Sequence, residues 1–157
     1  QDMTNQVLET MAKYENICDY IHLPVQSGSS RILKMMNRGY TREWYLERID
    51  AIKRIIPGCA ISQDIISSFC SETEEEHKDT LSIMEYVKYD LGYNFFYSER
   101  PGTLAARKYE DDIPLVEKIR TVAKNDSAWI SQFYIVMHSL ASTTDASQSF
   151  ALQTKDV

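Results

Sequence analysis

Cysteine is scarce in this sequence, with Cys18, Cys59 and Cys70 the only three in 157 residues. They are too far apart in sequence to form a metal knuckle and too few to make a disulfide framework, so buried structural thiols are expected. Long apolar runs are missing too. No stretch approaches the roughly 20 residues of a membrane span, and the opening Gln1-Asp-Met-Thr4 lacks the layout of a signal peptide, which together make a cytoplasmic protein the expectation. Positive charge is in deficit, 17 Lys and Arg against 23 Asp and Glu, for a net charge of −6. Because nucleic-acid binding is driven by neutralising phosphates, weak or no contact with RNA or DNA is expected from this chain itself. There is also no Gly-Lys-Ser/Thr phosphate loop, no three-glycine dinucleotide fingerprint and no evident nucleophile–base pair. A sugar-phosphate enzyme or ordinary hydrolase is therefore disfavoured.

What is present is a soluble composition, 43% hydrophobic and 25% charged, in a chain long enough to bury about 70% of its unfolded surface. The stretch Tyr20-Ile-His-Leu-Pro-Val-Gln-Ser-Gly-Ser-Ser30 reads as a short strand entering a tight polar loop, with Ser29 or Ser30 capping the next helix. Such a loop is either a ligand-contacting turn or a plain strand–turn–helix connection, and its spacing alone leaves both open.

Further along, a helix is expected over Thr4 to Tyr14, capped by Thr4. A short helix over Ser30 to Met36 should close with Gly39 left-handed. Thr41 should cap a helix over Arg42 to Ile56 that turns Trp44, Leu46, Ile49, Ile52 and Ile55 or Ile56 inward. Ala60 to Phe69 reads as a second strand. Ser71-Glu-Thr-Glu74 matches a capping box, opening a helix to about Tyr89 with His77, Leu81, Met84 and Val87 or Tyr86 inward. Tyr93 to Tyr97 reads as a third strand, followed by the polar loop Ser98 to Thr103. Leu115 to about Leu140 reads as one long helix or two broken near Asn125-Asp-Ser127, and Ala141 to Val157 as a polar tail. The alternation of helix and strand predicts an α/β fold with a parallel sheet.

Four stretches, taken together, closely resemble the radical S-adenosylmethionine methylthiotransferases. They are Tyr20 to Ser30, Tyr45-Leu-Glu-Arg-Ile49 with Ile61-Ser-Gln-Asp-Ile-Ile66 and Phe69, Glu72-Thr-Glu74, and Phe96-Tyr-Ser-Glu-Arg-Pro-Gly-Thr103, with Lys108 to Pro114 continuing the match. The resemblance is to the tRNA-modifying members, which methylthiolate an isopentenylated adenosine beside the anticodon. It implies a TIM-like partial barrel, S-adenosylmethionine and two 4Fe-4S clusters in the intact enzyme. Residues 1–114 would then be the C-terminal half of that barrel, with three βα repeats. Residues 115–140 would be a helical extension, and 141–157 a polar tail or the start of a truncated RNA-binding TRAM domain.

The family's Cys-x-x-x-Cys-x-x-Cys cluster loop is absent, so the resemblance implies no metal ligands, no catalytic residue and no activity from this chain alone. It places Gln26 and Ser27 toward the ribose and methionine of the cofactor, and Asp64, Ile66 and Ser68 near its adenine. Tyr97 closes the pocket, with Ser98 and Arg100 on the substrate side. Asp64 could equally be a structural carboxylate, Arg100 a partner of Glu99 or Asp112, His22 a packed strand residue, and His77 solvated or packed. One departure stands out: Ser68 and Ser71 replace the family's glycines, which is expected to narrow the adenine slot. The competing reading is a free-standing βα module that binds or self-associates through the sheet face a half-barrel leaves open.

Overall fold

The computed structural model describes residues 3–128. The expectations for 129–140 and for the tail 141–157 lie outside the described residues.

Three parallel strands lie side by side in chain order, β1 (Tyr20–His22), β2 (Ala60–Ser67) and β3 (Leu91–Phe96). Helix α1 (Asn5–Lys13) precedes them. The first crossover carries α2 (Ser30–Met35) and α3 (Arg42–Ile55), and the second carries α4 (Glu74–Val87). After β3 come α5 (Leu104–Lys108) and α6, helical from 115 through the last described residue, 128. The α/β reading with a parallel sheet is thus what the structure shows.

Strand parity divides the sheet into two unlike faces. Ile21, Ile61 and Ile65 face the helices and join Ile49, Ile52, Ile83 and Met84 in the main core. Within it the Tyr45 hydroxyl donates to the Leu23 carbonyl at 2.8 Å and meets the Tyr89 hydroxyl at 2.8 Å, so two buried phenols satisfy each other. The opposite face carries Tyr20, His22, Ser62, Asp64, Ile66, Leu91, Tyr93 and Phe95, which the strand register sets side by side. No described helix covers it, and Tyr93 and Phe95 are 51% and 52% exposed.

Several local expectations need correction. Asn37, not Gly39, takes the left-handed conformation after α2, with φ at 58°; an Asn side chain tolerates that region better than most. The capping box is two residues later than expected: Thr73 caps α4 and Glu76 reaches back, since Ser71 itself sits at a left-handed φ of 60° and lacks the extended backbone of a cap. Helix α3 buries Tyr45 and Ala51 with Ile49 and Ile52, whereas Trp44 and Leu46 lie at the margin of the core. Helix α4 buries Thr80 and Ile83 and leaves Tyr86 exposed. Helix α6 runs unbroken through 125–127, where Asn125 is buried and donates to the Ser67 hydroxyl at 2.7 Å. Of the cysteines only Cys70 is buried; Cys18 is exposed and Cys59 intermediate.

Candidate functional site

A cavity of about 430 Å³ opens at the carboxyl ends of the strands, where α/β sheets place their ligands. Its lining combines Gln26 from the loop after β1, Asp64 and Ile66 from β2, Phe95 and Phe96 from β3, then Tyr97, Ser98 and Arg100. Six of the eight residues singled out in the sequence therefore meet at one cleft. Phe95, Phe96, Thr103 and Ala105 also line it. Phe95 could have been found by its parity with Tyr97, whereas Thr103 and Ala105 arrive with α5, too short a helix for the sequence pattern to reveal.

Gln26 is fixed at both ends. Its backbone continues the β1–β2 ladder past Pro24, donating to Asp64 O and accepting from Ile66 N at 2.9 Å each, and its φ of 67° bends the chain over the cleft. The side-chain oxygen accepts from the Arg38 guanidinium at 2.9 Å, which leaves the amide N–H group free to donate. Asp64 is the single acid in the lining and Arg100 the single base. The rest of the lining includes the apolar Ile66, Phe95 and Phe96, so the cleft combines one acid and one base with an aliphatic and aromatic surface. Arg100 forms no ion pair among the described residues, and Asp112 instead accepts from the Ser71 amide at 2.7 Å.

Two predicted residues stand behind the lining. Ser27 is buried, and its hydroxyl accepts from the Ser29 amide at 3.2 Å. Ser68 is buried at a φ of 56°, and its hydroxyl pairs with that of Thr121 at 2.7 Å, away from the cleft. The rest of the Gln26–Ser30 loop is likewise wired into the scaffold. Gly28 N–H donates to Thr80, Ser29 caps α2 and donates to Glu76, and Ser30 accepts from the Arg42 amide. Gly28 therefore serves packing against α4 and not approach to a ligand.

Tyr97 stacks edge-on against Phe69 with centroids 4.8 Å apart. The buried Lys118 ammonium sits over its ring and donates to its carbonyl at 3.0 Å, while two Asp111 oxygens at 2.5 and 2.6 Å hold that charge. Desolvation and the neighbouring Cys70 thiol raise the Tyr97 hydroxyl, keeping it a neutral phenol. His22 meets Ser62 and Asp64 on the open face of the sheet. His77 is buried in the wall of a second cavity, between α4 and α6, and burial lowers its basicity. Among the described residues no group of three or more His, Cys, Asp or Glu is placed to hold a metal ion. No described helix is long and apolar enough to cross a membrane.

Residues 2–84, just over half of the chain, match the Radical SAM superfamily. The chain belongs to this superfamily.

Its similarity to individual radical SAM proteins is high over a limited span. It is 64% identical over 121 residues to the tRNA-2-methylthio-N(6)-dimethylallyladenosine synthase of Amoebophilus asiaticus, covering 76% of this chain and 25% of that protein. Against the protein of the same name from Christiangramia forsetii it is 68% identical over 120 residues, with the same two shares. The chain thus spans about a quarter of the length of these curated relatives. Among solved structures, coproporphyrinogen III oxidase (HemN) from Escherichia coli, described as a radical SAM enzyme, superposes with a TM-score of 0.66 at 21% identity. That match covers 84% of this chain and 30% of the oxidase, and it shows a shared fold.

Membership implies S-adenosylmethionine and an iron–sulfur centre. The cleft fits the first: its volume lies in the range of small-molecule sites, it has an aromatic and aliphatic floor for a base, and Gln26 and Asp64 offer a donor and an acceptor beside it. The second is not fitted by these residues, since Cys18 and Cys59 precede β1 and β2 at the far end of the sheet and Cys70 is buried after β2.

Proposed function

We propose that this chain forms the second half of the radical SAM barrel of a tRNA methylthiotransferase and supplies the wall that holds the adenosyl end of S-adenosylmethionine. The observation that carries this reading is the meeting of Gln26, Asp64, Ile66, Tyr97, Ser98 and Arg100 at one cleft at the strand ends. Gln26 and Asp64 take the polar groups of the ribose, and Ile66 with Phe95 and Phe96 lies against the base. Ser98 and Arg100 face the substrate, a nucleotide of tRNA. Ser27 and Ser68 act behind the lining, holding the turns in place. When bound, S-adenosylmethionine supplies one-electron, hydrogen-abstracting chemistry fed by a cluster; the intact enzyme has two 4Fe-4S clusters, ligated outside these residues.

In this reading residues 1–114 are the barrel half, 115–140 an extension and 141–157 a tail or the start of an RNA-binding domain. The whole enzyme works on tRNA in the cytoplasm, while this acidic chain contributes little affinity for RNA of its own. Calorimetric titration of the chain with S-adenosylhomocysteine tests the cleft. Binding that is weakened by Gln26→Ala and Asp64→Ala supports the reading, and absence of binding overturns it.

The uncovered face of Tyr20, Leu91, Tyr93 and Phe95 favours a second reading, a non-catalytic module that associates with itself or with a partner through that face. Light scattering that finds a monomer at high concentration, together with ligand binding, would dismiss it.

A further inference from the structure

Hydrogen bonds join His22 to Ser62 and Tyr20 across β1 and β2, and a longer charge contact brings it against the carboxylate of the cleft. The Tyr20 hydroxyl lies 2.6 Å from the Ser62 hydroxyl, which lies 2.8 Å from His22 Nδ1; on its other side His22 Nε2 is 3.5 Å from Asp64 Oδ2. The strand register produces this row. His22 is paired with Ser62, and Asp64 is two residues further along the same face of the neighbouring strand, the diagonal position within reach of a long side chain.

Donor and acceptor counting gives the row a direction. A carboxylate oxygen only accepts, so in the neutral imidazole tautomer that fits this row the proton sits on Nε2, toward Asp64, and Nδ1 accepts from the Ser62 hydroxyl. Ser62, wholly buried, then accepts from Tyr20. The row therefore ends beside the one carboxylate of the cleft, whose Oδ2 is the oxygen in contact with His22.

We infer that His22 is a positioning residue: it holds the Asp64 carboxylate in the orientation that accepts hydrogen bonds from the hydroxyl groups of an adenosyl ligand. This rests on the adenosyl reading of the cleft and adds to it a residue that never touches the ligand. Two substitutions separate positioning from structural support. Gln at 22 places an amide N–H where Nε2 stands and can still donate to Asp64. Asn reproduces the Nδ1 position and its contact with Ser62 but falls short of Asp64.

The test titrates the full chain and its His22→Gln, His22→Asn and Asp64→Asn variants with S-adenosylhomocysteine, with urea midpoints measured in parallel. Loss of the contact that orients Asp64 is expected to weaken binding by about three- to tenfold in His22→Asn, while His22→Gln stays within about twofold. His22→Asn should add nothing further on the Asp64→Asn background. Repetition with adenosine and 2′,3′-dideoxyadenosine reads the ligand group: only adenosine should be sensitive to His22→Asn. Nitrogen-15 spectra should report the Nε2–H tautomer. Equal binding by His22→Asn and the unsubstituted chain, or losses in Gln and Asn variants that merely follow their stabilities, would overturn the role of His22 and leave the cleft assignment standing. No binding by the unsubstituted chain would overturn both.

Discussion

The Gly28 amide donates to the Thr80 hydroxyl at 2.8 Å, and a methyl group placed on Gly28 would lie 2.3 Å from the Thr80 backbone nitrogen. The loop after β1 is thus pressed directly onto the backbone of α4. A side chain there can be admitted only by separating the loop from the helix, because the obstructing atoms are backbone. Gly28→Ala is expected to cost upwards of about 2 kcal/mol, at the severe end of overpacking. Gly92→Ala is the control. Its new methyl meets the Gln63 side-chain amide at 2.6 Å, a flexible group that can move, so the loss should stay near 1 kcal/mol or below. Urea unfolding of the two variants checks the order, and equal midpoints would show that the loop yields.

A pair of carboxylates on the turn into α4 should set the dependence of stability on pH. The hydrogen-bonded Arg31 guanidinium holds Glu76 down at about 2, whereas burial, with Glu76 as a like-charged neighbour, pushes Glu72 up to about 7. Glu76 therefore contributes stability that is complete above its ordinary value near 4.5 and is lost as the pH falls toward 2. Glu72 runs the other way. The folded chain binds its proton more tightly than the unfolded chain, so its ionisation costs stability, beginning near 4.5 and complete above about 7. The two contributions together are greatest near pH 4.5. Glu72→Gln retains an oxygen to accept from the Ser68 amide, so it should be more stable than the parent at pH 8 by on the order of 1–3 kcal/mol, with the difference vanishing at pH 4.5. Urea midpoints across pH 3–8 decide it, and parallel curves for the two proteins above pH 5 would refute the assignment.

Ser68 and Ser71 occupy the turn that ends β2, both at left-handed φ, 56° and 60°. Such backbone is strained for a residue with a Cβ, by roughly 1 kcal/mol, and glycine relieves it. The two sites differ in what the side chain does. The Ser68 hydroxyl is buried against Thr121, while the Ser71 hydroxyl accepts a long contact, 3.2 Å, from the exposed Arg31. Ser71→Gly should thus stabilise by up to about 1 kcal/mol, while at Ser68 the lost hydrogen bond offsets the relief and the change should be near zero. Thermal unfolding of both variants gives the comparison, and a gain at Ser68 larger than that at Ser71 would contradict it.

These two serines also show how far the sequence could be read. As departures from a glycine pattern they were visible without coordinates, and the left-handed backbone accounts for that pattern. What the sequence could not disclose was direction: Ser68 turns toward Thr121 on α6, fifty-three residues away in a segment without a motif. The place of Asp64 on its strand, and of Gln26 and Tyr97 just beyond theirs, was legible because apolar alternation and turn residues are local signals. By contrast, the link between His22 and Asp64 depends on the register of two strands, which residue types alone do not fix. The shift of the capping box from Ser71 to Thr73 has the same origin. Two S/T-x-x-E patterns overlap there, and the left-handed backbone at Ser71 decides between them.

Arg38 supplies the last prediction, since it reaches the cleft through one contact only. Its guanidinium donates to the Gln26 side-chain oxygen at 2.9 Å, which points the amide N–H group at whatever enters. Arg38→Met keeps the aliphatic stem over the loop and removes the donor, leaving the Gln26 amide free to rotate. Binding of S-adenosylhomocysteine should weaken by about three- to tenfold, the effect of one misoriented hydrogen bond, while stability changes by less than about 1 kcal/mol. Gln26→Glu makes the complementary case. The carboxylate would bind Arg38 more strongly yet offer no donor to the ligand, so stability should hold or rise as affinity falls. Calorimetry paired with thermal unfolding reads both quantities on the same samples. If affinity followed stability in the two variants, Gln26 would be a scaffold residue and its amide would not face the ligand.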